Sequence, residues 1–246
     1  MKSSKLLACL LPLLVGAAHA QDERRIVSPD GHLEFRLFTS VPEGSVLNCL
    51  AYQVRWRGKP IFDTSYLGWN IHFQEPLLGE NVGLSTEKQL HGTDYNGLWA
   101  DYLQTSSTGR RIQFEVRVWN DGVAFRYTIP QSALLLNLLI EDDATEFHFA
   151  QDAAGARPAQ AALPYVEQDP GIGWLGIFES PAAGFPRMYL VRTGAHTMTA
   201  RLPQKPNDPG VAFDGATPWT SPWRMIAVAP DRERLAQSQM VRELGK

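Results

Sequence analysis

Apolar and polar residues alternate along most of the chain. "HLEFRLF" sets Leu33, Phe35 and Leu37 on one side and Glu34 and Arg36 on the other. The same period recurs in "LAYQVRWRGKPIF", "LGWNIHF", "RRIQFEVRVW", "VAFRYTI", "TEFHFA", "GWLGIF", "RMYLVRT" and "WRMIAVA". A period of two puts every second side chain on one face, so each run predicts a half-buried β-strand. Turn residues such as Gly58-Lys59-Pro60 separate the runs at spacings of roughly 8 to 20 residues, which reads as a sandwich rather than as βαβ units. A helical pattern enters only at "DRERLAQSQMVREL", a weakly amphipathic segment that predicts a short C-terminal helix. The expected fold class is therefore all-β, one sandwich domain with a short C-terminal helix. Residues 150–168, rich in Ala, Pro and Gln, and 204–216, rich in Pro, Asp and Gly, predict long surface connections.

The clearest hairpin is "VRVWNDGVAFRYTIP", Val116 to Pro130. Phe114, Val116 and Val118 share one face of its first strand, and Val123, Phe125, Tyr127 and Ile129 share one face of its second. Two registers are open. A turn centred on Asp121-Gly122 sets Arg117 opposite Arg126, where like charges repel. A turn centred on Asn120-Asp121 pairs Arg126 with Glu115 instead.

The first 20 residues stand apart from this pattern. Lys2 and Lys5 precede an apolar run from Leu6 to Val15, and Ala18-His19-Ala20 is a small-x-small cleavage site. This predicts a cleaved secretory signal over 1–20, a mature domain over 21–246 and a periplasmic location. No later segment predicts a membrane span. Cys9 leaves with the signal, so Cys49 is the mature chain's single cysteine and no internal disulfide is expected. Its place in "VLNCLAYQV" predicts a buried small hydrophobe.

The formal net charge is −3 and the cations are scattered, which excludes a nucleic-acid footprint and a basic membrane-surface patch. There is no His/Cys cluster with metal spacing, no EF-hand loop, no nucleophile elbow and no phosphate-cradling glycine loop. His32, His72, His91, His148 and His196 each stand alone in sequence. The chain has seven tryptophans, whose flat faces suit sugar rings. Trp99 and Trp119 lie beside turns or polar runs and are the candidate sugar contacts. Glu179, at the end of an apolar strand and before Ser180-Pro181, is the carboxylate placed to reach a cleft or a hard cation.

Several segments together resemble the N-terminal domain of glycoside hydrolase family 97, which contains SusB-type α-glucosidases and related α-galactosidases. They are "SPDGHLEFRL", "YQVRWRGKPIFDTSYLGWNI", "DYNGLWADYL", "FEVRVWNDGVAFRYTIP", "GIFESPAAGFPRMYL", "TPWTSPWRMIAVA" and "LAQSQMVREL", in the family's order. The resemblance implies a galactose-mutarotase-like β-supersandwich, followed in full-length members by a (β/α)8 barrel that carries the catalytic carboxylates. It also implies calcium shared between the two domains, with Glu179 matching the glutamate that the N-terminal domain contributes. The family's Tyr-Asn-Glu-Leu is Tyr-Asn-Gly-Leu at Tyr95 to Leu98, with Gly97 in place of a glutamate.

Three readings follow. The first is a domain without catalysis of its own, packing on a (β/α)8 barrel and lending Glu179 to a shared sugar and calcium site for an α-glucoside or α-galactoside. The second is a free-standing periplasmic carbohydrate-binding module. The third is a small mutarotase-like enzyme, which requires two histidines and a carboxylate in one cleft.

Overall fold

A computed structural model describes residues 21–105, 109–131, 135–153 and 155–246. The signal segment predicted over 1–20 lies outside the described residues. The chain begins with a four-stranded meander, β1 (Gln21–Val27), β2 (Leu33–Ser40), β3 (Cys49–Trp56) and β4 (Lys59–Tyr66). A short hairpin follows, β5 (Trp69–Ile71) and β6 (Gln74–Leu78). Four long strands come next: β7 (Val82–His91), β8 (Asn96–Gln104), β9 (Arg111–Trp119) and β10 (Gly122–Ile129). Then come β11 (Asn137–Asp143), β12 (Glu146–His148), β13 (Gln160–Ala162), β14 (Tyr165–Asp169) and β15 (Gly173–Glu179). The last strands are β16 (Tyr189–Arg192), β17 (Thr197–Arg201), β18 (Phe213–Ala216), β19 (Trp219–Thr220) and β20 (Arg224–Ala229).

The main sheet has eight strands in the order β14-β15-β20-β10-β9-β8-β7, with β19 paired to β10. Three four-stranded sheets complete the described residues: β1-β2-β3-β4, β18-β11-β5-β6 and β12-β17-β16-β13. The strand ladders are antiparallel. This is the all-β sandwich that the alternation predicts.

The layers meet through the predicted inward faces. Phe35 and Tyr52 of the first sheet stack at 5.3 Å, and Phe35 lies 6.1 Å from both Phe114 and Phe125 of the main sheet. Strand β9 alternates half-buried and buried residues, because Val116 and Val118 point into the core while Glu115 and Arg117 point outward. Strand β20 is buried throughout. Ile226 and Val228 enter the main core, while Met225, Ala227 and Ala229 enter a second apolar layer on the outer face.

That second layer is roofed by the C-terminus. The predicted single helix is two short ones, α1 (Arg232–Ala236) and α2 (Gln239–Leu244). Ser238 separates them, because its hydroxyl accepts from Val241 N and starts a new helix. Leu235 and Met240 are their buried residues.

The hairpin register is settled in favour of the second alternative. Gly122 pairs with Trp119 and Arg126 pairs with Glu115, so Asn120-Asp121 forms the turn. Glu115 binds both arginines, Arg117 at 2.7 Å and Arg126 at 2.6 Å. The guanidinium groups of Arg117 and Arg126 lie 4.8 Å and 4.3 Å from the ring centre of Trp223. The turn also anchors the chain end: the Asp121 carboxylate accepts from Gln239 N at 2.5 Å.

Gly122 is needed here for close approach. A Cβ at this position falls 2.5 Å from Met240 Cε and 2.8 Å from the Ile226 carbonyl oxygen. Gly122→Ala should therefore cost about 1–3 kcal/mol by overpacking, read as a lower urea midpoint at unchanged slope.

The two expected surface connections are only partly so. Within 150–168, β13 and β14 form, and the buried Arg157 is pinned by the half-buried Glu167 at 2.8 Å. Within 204–216, Val211 and Ala212 are buried and β18 joins a sheet. Cys49 is buried, as its alternation predicts, and burial pushes its thiol up to about 12.

Candidate functional site

Glu179 is the last residue of β15, and the hydrogen-bond ladder to β20 sets it opposite Arg224. Ser180 stops the strand but keeps it tied. Its amide donates to the Trp223 carbonyl at 3.0 Å, and its hydroxyl accepts from Trp223 N at 2.9 Å. The carboxylate is thus fixed at the sheet's end, in the wall of a cavity of about 330 Å3 that Phe185, Arg187, Pro222 and Gly245 also line.

The two oxygens of Glu179 differ. Oε2 accepts from Met188 N at 3.1 Å. Oε1 is buried without a hydrogen-bond partner among the described residues. A buried acceptor left unmade is costly, and burial raises the Glu179 carboxyl above its ordinary range. The Arg224 charge opposes that rise, and the Asp143 charge adds to it.

Arg224 belongs to the floor beneath. It is fully buried and binds the fully buried Asp143 carboxylate. Its Nη1 donates to the Pro222 carbonyl at 2.7 Å, and its guanidinium lies 4.9 Å from the ring centre of Trp69. Asp143 also accepts from Thr145 N at 2.9 Å. The cavity wall therefore rests on a dry, internally neutralised charge pair flanked by aromatic rings. Sequence reading missed this pair: nothing in "SPWR" or "EDDAT" marks Arg224 and Asp143 as partners, because that contact joins residues distant in sequence.

The candidate sugar contacts separate. Trp119 is 1 % exposed, packed against Tyr95 at 4.9 Å in the layer beneath the C-terminal helices. Its place beside a turn suggested exposure. The helices cover it instead, so it presents no free face. Trp99 is half-buried on β8, between Lys88 and Glu115 in the ladder. Neither tryptophan lines the Glu179 cavity. Gly97, in place of the family's glutamate, has no room for a side chain: a Cβ there lies 2.5 Å from the Val116 carbonyl oxygen.

The histidines are less solitary than their sequence positions imply. His148 and His196 stack at 6.3 Å, and His196 Nδ1 lies 3.6 Å from the exposed Asp152 carboxylate. His72 pairs with Glu141 at 2.6 Å, and His32 with Asp30 at 3.0 Å. His148, His196 and Asp152 lie outside the Glu179 cavity.

The comparisons with known proteins agree with this architecture. The family model described as "Glycosyl-hydrolase 97 N-terminal" matches residues 26–156 and 153–246. A glycoside hydrolase family 97 enzyme from Pseudoalteromonas sp. strain K8, solved in complex with acarbose, superposes with a TM-score of 0.75 at 18% identity. The match covers 91% of this chain and 38% of that one. A variant from the same strain, solved in complex with panose, gives 0.76 at 18% identity with the same coverage. A β-arabinopyranosidase gives 0.67 at 19% identity, covering 86% of this chain and 40% of that chain. At such identities the likeness shows the fold, and the chain spans under half the length of these relatives. No curated protein matches the chain. With the family model matched along nearly all of the described sandwich, the chain belongs to the glycosyl-hydrolase 97 N-terminal domain family.

Proposed function

We propose that this chain is a secreted, periplasmic, carbohydrate-associated domain without catalysis of its own. It packs against a (β/α)8 barrel and lends Glu179 to a shared sugar and calcium site. The observation that carries this reading is the buried, unpartnered Oε1 of Glu179 in a cavity wall. A buried carboxylate oxygen without a protein partner suits a cation held jointly with a second body.

Glu179 fits one part of a calcium shell. Calcium takes six to eight oxygens. Among the described residues no three His, Cys, Asp or Glu side chains cluster to hold a metal. In this reading a barrel docked over the cavity would supply further ligands. Calcium held there would supply a fixed positive charge to the shared site. This chain's residues do the positioning: Met188 N holds Oε2, Ser180 fixes the strand end, and Arg224 supplies charge from below. Hydrolysis needs two carboxylates flanking the glycosidic bond, and these belong to the barrel in this reading. The acarbose and panose complexes of the solved relatives support an α-glucoside as substrate of the joined enzyme, with an α-galactoside as the alternative.

The test is reconstitution. Chain alone should leave p-nitrophenyl α-glucoside and α-galactoside intact. Addition of a family 97 barrel should restore calcium-dependent hydrolysis, and Glu179→Gln should abolish that dependence. Hydrolysis by the isolated chain would overturn the reading.

The isolated chain should also show the cost of burying the Glu179 carboxylate. The Glu179 carboxyl is raised in the fold, so protonation favours the folded state, and the penalty grows as pH climbs from 4.5 through the raised value. At neutral pH, Glu179→Gln should stabilise the isolated chain by roughly 0.5–2 kcal/mol. The two chains should converge below the ordinary glutamate value, and equal stability at neutral pH would contradict a desolvated carboxylate.

A further inference from the structure

A second groove lies at the other end of the β15–β20 ladder. Glu179 pairs with Arg224 at one end, and Trp174 pairs with Ala229 five residues away. At about 3.4 Å per residue the two ends are roughly 17 Å apart. The groove consists of two adjoining cavities of about 490 and 260 Å3, both lined by Trp56, Lys59, Gly171 and Ile172.

Two hairpin turns build it. The β3–β4 turn is Arg57-Gly58, with φ of 49° and 80°. A turn with both central residues left-handed suits Asn or Gly at its first position. Arginine there holds a left-handed conformation that L side chains rarely adopt. The β14–β15 turn is Pro170-Gly171-Ile172, held by Asp169 Oδ1, which accepts from Gly171 N at 2.7 Å. Val228, Ala229 and Pro230 add apolar wall to the larger cavity.

The chemistry of the groove is aromatic and cationic. Trp56 is half-buried and packs against the core, with the Arg57 guanidinium 5.4 Å from its ring centre. Arg57 and Lys59 are exposed, and among the described residues neither has an ion-pair partner. Gln151 and Asp169 line the smaller cavity, and part of the Asp169 carboxylate is committed to the turn.

We propose that this groove binds an anionic pyranoside, a sugar ring that bears a carboxylate or a sulfate. Its apolar ring face lies on Trp56, its anion sits between Arg57 and Lys59, and its hydroxyls meet Gln151 and Asp169. The two unpaired cations select an acidic sugar over a neutral one. None of these residues lines the Glu179 cavity.

Calorimetric titration of the full chain with trigalacturonate, a sulfated heparin disaccharide and maltotriose tests this. One or both anions should bind saturably, and maltotriose should not. Lys59→Glu, at an exposed position, should weaken the anion about tenfold or more, and so should raising salt from roughly 0.05 to 0.5 M. Trp56→Ala should abolish binding and Trp56→Phe should retain it. No saturable response to either anion would overturn the proposal. So would maltotriose binding as tightly as the anions with Lys59→Glu without effect.

Discussion

Asp143→Ala should destabilise the chain by about 3–5 kcal/mol, enough to unfold much of it near body temperature. Asp143 and Arg224 are both fully buried, and each is the other's ion-pair partner. Removing the carboxylate leaves a fully buried guanidinium whose remaining hydrogen bond is to the Pro222 carbonyl, with aromatic faces and the Glu179 charge nearby. The substitution also frees Thr145 N, which donates to Asp143 Oδ1. Urea denaturation followed by tryptophan fluorescence measures the loss. The double variant Asp143→Leu/Arg224→Met should recover much of it, because a hydrophobic pair avoids desolvating two charges. A single-variant loss below about 1 kcal/mol would show that water or another carboxylate reaches Arg224. Glu179 would be the first suspect, as its charge already acts on Arg224.

Trp119→Ala should cost a similar amount, about 3–5 kcal/mol, through the cavity it leaves. The ring is 1 % exposed and shares the outer layer with Met225, Leu235 and Met240. Its Nε1 has no hydrogen-bond partner among the described residues, so Trp119→Phe should lose only volume and cost much less. Binding at the Trp56 groove should survive Trp119→Phe unchanged. If Trp119→Ala instead left stability within about 0.5 kcal/mol of the parent, the helices would not be roofing that layer in solution.

The alternation of apolar residues carried the fold a long way, and it failed where its physics does not apply. Runs such as "HLEFRLF" and "RRIQFEVRVW" show a clean period of two because one face is buried and the other is wet. Strand β7 shows none, since most of "VGLSTEKQLH" is exposed or half-buried. Trp119 misled for a related reason: the elements that cover it, α1 and α2, lie more than a hundred residues downstream. Glu179 was legible as a carboxylate at the end of an apolar strand. Asp143, Met188 and the shape of the cavity were not, because they converge on it only through the folded chain. The hairpin register turned on one carboxylate. Glu115 lies across from Arg126 and beside Arg117, so a single negative charge holds two positive ones.

Strand β7 has a further meaning for the behaviour of the domain. It is the last strand of the main sheet, ten residues long, paired with β8 on one side only. Long free edges invite a second chain to extend the sheet. Here Ser85, Thr86, Glu87, Lys88 and Gln89 occupy the middle of that edge, and all five are exposed. Glu87 is further drawn to Arg24 of β1. The missing hydrophobic rhythm that hides β7 from a pattern search is thus also a guard against self-templating. A sequence made more strand-like at this edge would read more clearly and would aggregate more readily.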